Sequence, residues 1–244
     1  MTRKTRIGII GGMGSRAGAE LFDKIIEYSP ALKDQDFPEI LLHNNSCIPD
    51  RTQAILYEKE SALPELLRSV QLMNLNETDL IVMACITSYF YYHDVIKHTK
   101  ARIISPVIST ADHIKNMYPE IKSIGLLATT GTIRSGLFDS VFETEGLKIV
   151  TLSEKEQEDY FMTSVYMKNG LKSAIISQEA KDLLLAAALR LKERGAMLLI
   201  GGCSEVQLVI KKSVHDLPFV DAMDVMAREV VQSCYGVAVS PLMQ

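Results

Sequence analysis

The run Leu80-Ile81-Val82-Met83-Ala84 is apolar from end to end and stops abruptly at Cys85-Ile86-Thr87-Ser88. A short apolar run of this kind, bounded by small and hydroxyl residues, predicts a strand buried on both faces of a parallel sheet. The pattern recurs more than a hundred residues later as Met197-Leu198-Leu199-Ile200-Gly201-Gly202-Cys203-Ser204-Glu205. Apolar run, small residues, thiol and hydroxyl follow in the same order.

The recurrence extends beyond these two stretches. Gly8 and Gly125 occupy matching places, as do Gly14 and Gly131, both pairs offset by 117 residues. The path from Gly8 to Cys85 covers 77 residues and that from Gly125 to Cys203 covers 78. An internal repeat of this length predicts two similar lobes within the usual domain range. The expected fold class is α/β: two similar three-layer lobes related by pseudo-two-fold symmetry, with mostly parallel sheets and the site in the cleft between them. Residues 1–118 form the first lobe, with a possible contribution from the C-terminal helix within 222–244, and residues 119–221 form the second.

The elements follow from periodicity. Arg6-Ile7-Gly8-Ile9-Ile10 is β-branched and ends at Gly11-Gly12-Met13-Gly14, after which Ala17 to Tyr28 repeats apolar residues at helical spacing. Such a turn brings backbone N–H groups at a helix N-terminus close to an anion, so a dinucleotide is one reading. The spacing is not GxGxxG and no P-loop lysine follows, and a plain strand-to-helix turn is the other reading. Pro38 to Ser46 predicts a second strand, with a helix from about Gln53, and Ser61 to Leu75 a third helix. The aromatic run Tyr89 to His93 begins a further helix, Arg102 to Val107 is a short strand, and Thr110 to Tyr118 a helix. The second lobe begins at Ser123 to Thr132, which repeats the opening of the first, and Leu147 to Leu152 is a strand. Glu154 to Met167 is an acidic, polar segment, Glu179 to Gly195 an amphipathic helix, and Ala222 to Tyr235 the closing helix.

A net charge of −4 and a pI near 5.8 give no electrostatic footprint for nucleic acid or an anionic membrane. No apolar run approaches the ~18 residues of a membrane span, and the basic start at Arg3, Lys4 and Arg6 leads into a strand. These features predict a soluble, cytoplasmic protein. Four cysteines form neither a disulfide framework nor a CxxC zinc pair. Cys47 and Cys234 read as packing thiols. Cys85 and Cys203 read differently, because two-fold-related strand ends place one thiol on each face of an interlobe crevice. Matched acid and base groups on opposite faces of one carbon suit stereoinversion by proton transfer, and a thiol, ordinarily ~8.5, can be tuned for it. Arg51, the lone cation of the loop after the second strand, is either a capping or solvated residue or a clamp on a carboxylate.

Taken as a set, Ile9-Ile10-Gly11-Gly12-Met13-Gly14, Ile48-Pro49-Asp50-Arg51-Thr52, Met83-Ala84-Cys85-Ile86-Thr87 and Gly201-Gly202-Cys203-Ser204-Glu205 resemble the aspartate/glutamate racemase family. The resemblance implies cofactor-independent racemisation of an acidic amino acid, no metal, an interdomain active site and a homodimer. It implies Cys85 and Cys203 as the acid/base pair, Thr87 and Ser204 as hydrogen-bond donors, and Arg51 and Lys168 as carboxylate ligands. Met13, Thr129, Thr130 and Glu205 complete the implied substrate-contacting set. The chain departs from the family pattern at Ile86, where asparagine usually follows the first cysteine, and at Ser15 and Ser204. Ile86 removes a polar contact and leaves two alternatives in view. One is a related isomerase, decarboxylase or hydantoin racemase acting on a less polar substrate; the other is a carboxylate-binding protein with little turnover.

Overall fold

The computed structural model describes residues 3–236, so the expected segment 222–244 is only partly within the described residues. Strands β1 (Arg6–Gly11), β2 (Glu39–Asn44), β3 (Leu80–Met83) and β4 (Arg102–Ile103) form one sheet in the order β2-β1-β3-β4, every pair parallel. Strands β5 (Ser123–Leu127), β6 (Lys148–Val150), β7 (Leu198–Gly201), β8 (Ser213–Val214) and β9 (Leu217–Asp221) form the other, in the order β6-β5-β7-β9-β8. Only the β8–β9 pair is antiparallel. Removing β8 leaves the same order twice, with β3 and β7 in equivalent central positions. The registers agree as well: Ile7 faces Leu80 as Ile124 faces Leu198.

Burial explains why these strands read as unbroken apolar runs. Leu80–Met83 and Leu198–Gly201 are buried at every position, since helices cover both faces of each sheet. The principal helices are α1 (Ser15–Tyr28), α2 (Arg51–Tyr57), α3 (Leu63–Leu75), α4 (Pro106–Met117), α5 (Thr130–Arg134), α6 (Gln178–Glu193) and α7 (Ala222–Tyr235). One apolar cluster runs through Ile9, Val82, Ile124, Phe138, Ile200 and Met226, so the two sheets share a continuous core. A second, with Phe161, Leu184, Leu191 and Leu199, sits beneath α6. Helix α7 packs against α1 and α4, and Lys24 pairs with Asp224 at 2.6 Å across that contact. No described helix is long and apolar enough to cross a membrane.

Local chemistry moves several boundaries from their expected places. The Asp50 side chain accepts from Gln53 N at 2.9 Å, so α2 begins at Arg51, ahead of the predicted Gln53. The strand predicted over 102–107 stops at Ile103 because Pro106 opens α4. The aromatic run begins inside a 3₁₀ stretch, Ile86–Tyr91, whose Tyr89 hydroxyl donates to Ile104 O at 2.8 Å. The acidic segment is helical from Glu154 to Tyr166, started by a capping box between Ser153 and Glu156. Strand β9, which the periodicity did not reveal, contains Pro218, a residue that argues against a strand when read alone. Cys47 is exposed, so the packing role expected of it is corrected; Cys234 is partly buried beside the first core cluster.

Candidate active site

Cys85 follows β3 after one residue, Ala84, and Cys203 follows β7 after one residue, Gly202; each is 5% exposed. Both line a single cleft, together with Arg51, Ile86 and Thr87 from the first lobe and Lys172, Ser204 and Glu205 from the second. The cleft is narrow. The centre of a water molecule can occupy only ≈ 10 Å³ of it, room for about one water. An amino acid needs more, so entry requires the walls to part.

Arg51 is fixed by backbone carbonyls. Its Nη1 donates to Pro49 O at 3.0 Å and its Nη2 to Met13 O at 2.6 Å, while Nε is buried with no hydrogen-bond partner. Burial opposes its charge, but Cys85 and Asp50 beside it more than compensate and hold it protonated. A buried guanidinium N–H without an acceptor is costly, and an anionic group placed at this edge would satisfy it. Arg51 is therefore neither solvated nor a simple cap, although α2 does start there.

The second cation is Lys172. Its Nζ lies 3.2 Å from Met13 O and 3.5 Å from Glu205 Oε1, and 5.7 Å from the centre of the Tyr166 ring. Burial works against its charge, yet Glu205 raises its pKa above the ordinary lysine range. Lys168, the lysine expected here, is exposed and is not among the cleft residues. The turn between them explains the correction: Gly170 N donates to Met167 O at 2.8 Å, reversing the chain so that Lys172 points inward.

The Cys203 side carries a buried carboxylate. Glu205 is 3% exposed, and its Oε2 accepts from Cys203 Sγ at 3.0 Å and from Ser204 Oγ at 3.1 Å. Burial and the adjacent Glu205 push the Cys203 thiol well above its usual value. For Glu205 itself burial alone would raise the carboxyl, but Lys172 and the two donors hold it below the ordinary range.

Thr87 takes the corresponding position after Cys85. Its hydroxyl is 3.1 Å from Thr129 Oγ1 and 2.8 Å from Thr132 Oγ1, forming a buried hydroxyl cluster across the lobes. Thr132 was not anticipated; nothing in its spacing separates it from Thr130. Thr130 lies outside the cleft, with Oγ1 3.3 Å from Glu158 Oε1. The Met13 side chain is packed in the core, and only its carbonyl faces the cations. Thr52 and Tyr166 also line the cleft without a sequence signal. Tyr166 donates to Asp50 Oδ2 at 2.9 Å, tying the second lobe to the first at the mouth.

The glycine pair of the repeat acquires a physical role here. A Cβ on Gly14 would lie 2.5 Å from Glu205 Oε1, and one on Gly131 would lie 2.7 Å from Thr52 Oγ1. Each glycine, at the start of its helix, clears space for a side chain of the opposite lobe. The first turn thus accommodates an internal carboxylate at the place considered above for a nucleotide.

A model of the Asp/Glu/Hydantoin racemase family matches residues 10–230. The chain belongs to that family. It is similar to the broad specificity amino-acid racemase RacX of Bacillus subtilis (strain 168), with 22% identity over 234 residues, covering 93% of this chain and 97% of that protein. Among solved structures it resembles aspartate racemase from Picrophilus torridus, at a TM-score of 0.82 and 23% identity over 94% of each chain. Glutamate racemase isoform RacE1 from Bacillus anthracis superposes with a TM-score of 0.64 and 16% identity, covering 98% of this chain and 85% of that one. These likenesses extend over both lobes and establish the fold as the two-lobe racemase architecture.

Proposed function

We propose that this family member racemises a free amino acid without a cofactor, by proton transfer between Cys85 and Cys203. The observation that carries the reading is the pair of thiols at equivalent strand ends on one cleft, beside a buried arginine with an unpartnered N–H. The substrate's α-carboxylate docks on Arg51 Nε, where a charge-assisted hydrogen bond also withdraws electron density from Cα. One thiolate takes the α-hydrogen as a proton, and the C–H electron pair delocalises toward the carboxylate. The opposite thiol then gives its proton to the other face of Cα, and the product leaves with inverted configuration. Lys172 supplies a second positive charge for the side-chain carboxylate of aspartate or glutamate.

Ile86 supports a second reading of the substrate. It is 1% exposed and lines the cleft, and a hydrocarbon there gives a polar side chain nothing to bond with. Lys172 is moreover already paired with Glu205. A less polar or broader set of amino acids, as in the name of the Bacillus subtilis relative, follows from these two features. Pairing of two copies belongs to the same reading and is tested by sedimentation.

The test is incorporation of deuterium at Cα from D₂O, for both enantiomers of a panel of amino acids, without added pyridoxal phosphate. The expected result is exchange and loss of optical rotation for at least one amino acid, with Cys85→Ala and Cys203→Ala each reducing racemisation at least ~10²-fold. Either variant racemising at the wild-type rate would sink the two-thiol mechanism. Binding with no turnover across the panel would favour a carboxylate-binding protein.

A further inference from the structure

The repeat places Thr87 and Glu205 at the same position, two residues after each cysteine, and the contacts they make are not alike. On the Cys85 side the position carries a neutral hydroxyl, engaged with Thr129 and Thr132. On the Cys203 side it carries a buried carboxylate that accepts the Cys203 S–H at 3.0 Å. Space for that carboxylate is cleared by Gly14, and Ser204 and Lys172 fix its two oxygens.

We propose that Glu205 is a positioning residue that keeps the proton on Cys203 in the resting protein, making Cys203 the acid and Cys85 the base of the first half of turnover. The inference rests on the two-thiol reading above and adds to it an order of events. The groups facing Cys203 are Glu205 from its own loop and Lys172 from the loop before α6. Arg51 from α2 also acts on Glu205. Of these only Glu205 bonds the sulfur, and a carboxylate accepting an S–H stabilises the thiol and repels the thiolate. For the enantiomer whose α-hydrogen faces Cys85, the proton passes to the Cys85 sulfur, and the C–H electron pair enters the carbanion. The Cys203 S–H bond then breaks, its proton forms the new C–H bond, and the electron pair stays on sulfur. Cys203 ends as a thiolate facing Glu205, a state tempered by Lys172, and regains a proton from solvent while Cys85 loses one.

This asymmetry cannot be read from kcat/KM. Enantiomers have equal free energies in water, so the kcat/KM values of the two directions are equal in every variant. It can be read from the thiols themselves. The experiment is alkylation of the full-length protein with iodoacetamide from pH 6 to 10, with each cysteine followed by peptide mass spectrometry. Each rate is normalised to its own high-pH limit, which removes accessibility. At pH 7 Cys85 reacts before Cys203 in the wild-type protein. In Glu205→Gln the half-maximal pH of Cys203 falls by about one unit or more, a rise of roughly tenfold in its normalised rate at neutral pH. Gly14→Ala, which keeps the carboxylate but displaces it, moves the Cys203 midpoint in the same direction by less, and stands in should Glu205→Gln fail to fold.

A Cys203 midpoint unmoved in both variants, or Cys203 reacting first in the wild type, overturns the inference. Deuterium exchange on the same preparations keeps the two ideas apart. An active racemase with an unmoved midpoint refutes only the role of Glu205. A protein that exchanges no amino acid removes the racemase reading, whether or not the thiol responds.

Discussion

Replacing Asp221 with asparagine should stabilise the protein at neutral pH and remove part of its pH dependence. Asp221 ends β9 and caps α7, with Oδ1 accepting from Met223 N at 3.1 Å. Its Oδ2 is buried with no hydrogen-bond partner, 3.7 Å from Lys24 Nζ. Burial raises the carboxyl from 3.8 to about 6, with Lys24 opposing and Asp224 reinforcing the shift. In the unfolded chain this group ionises near its ordinary value. Between roughly pH 4 and pH 6 the native state therefore binds more protons than the unfolded state, and stability falls as pH rises. The contribution is fully present below the unfolded value and lost above the folded one. A shift of about 2 units corresponds to about 3 kcal/mol, with the attraction to Lys24 already included. Asparagine keeps the capping acceptor and carries no charge. Thermal melts of both proteins at pH 4, 5, 6 and 7.5 should show similar midpoints at the acid end. The variant should melt higher above pH 6, by about 6 to 12 °C for a chain of this size. A gap between the two proteins that stays constant from pH 4 to 7.5 would refute the reasoning.

Lys172→Met removes the partner of a buried carboxylate and should cost about 3 to 5 kcal/mol along with most deuterium exchange, whereas Lys168→Met should change stability by less than about 0.5 kcal/mol and leave exchange intact. Melting curves and exchange rates check both, and equal effects of the two substitutions would count against Lys172 as the cleft lysine. Ile86→Asn should shift the substrate profile toward aspartate and glutamate by about 1 to 3 kcal/mol in relative kcat/KM, measured across the same amino-acid panel; an unchanged ranking would remove Ile86 as a determinant. Tyr166→Phe deletes the 2.9 Å bond to Asp50 at the mouth of the cleft and, at about 1 kcal/mol, should speed alkylation of both cleft thiols together. Unaltered rates would mean that this contact does not hold the walls closed.

Much of the frame was legible because it rests on local rules. The two apolar runs had to be buried strands, and the glycine offset of 117 residues tied them to equivalent places, which the matching strand orders bear out. What the sequence could not convey were choices made by tertiary contacts. Lys168 and Lys172 are equally polar and four residues apart, and only the turn at Gly170 decides between them. Thr130 and Thr132 differ by which side of a short helix faces the first lobe. Pro218 masked β9, since the sequence does not reveal that the proline falls within the short antiparallel pair, opposite Ser213.

The duplication also carries a cost that the side chains resolve. A perfectly two-fold site would give both thiols the same surroundings, so neither would have a preferred protonation state, and acid and base would be assigned by chance at each turnover. Proton transfer across a carbon needs one of each at the moment of reaction. The chain keeps the symmetry where it positions atoms, in β3 and β7, in the strand-end cysteines, and in Gly14 and Gly131. It breaks the symmetry two residues beyond each thiol, with Thr87 on one side and Glu205 on the other. Gly14 opens onto the Glu205 carboxylate of the opposite lobe, whereas Gly131 opens onto Thr52, so the glycine pair accommodates the departure on the Cys203 side. In the proposed two-thiol mechanism, a pseudo-symmetric frame with a carboxylate beside one thiol alone is what tells acid from base.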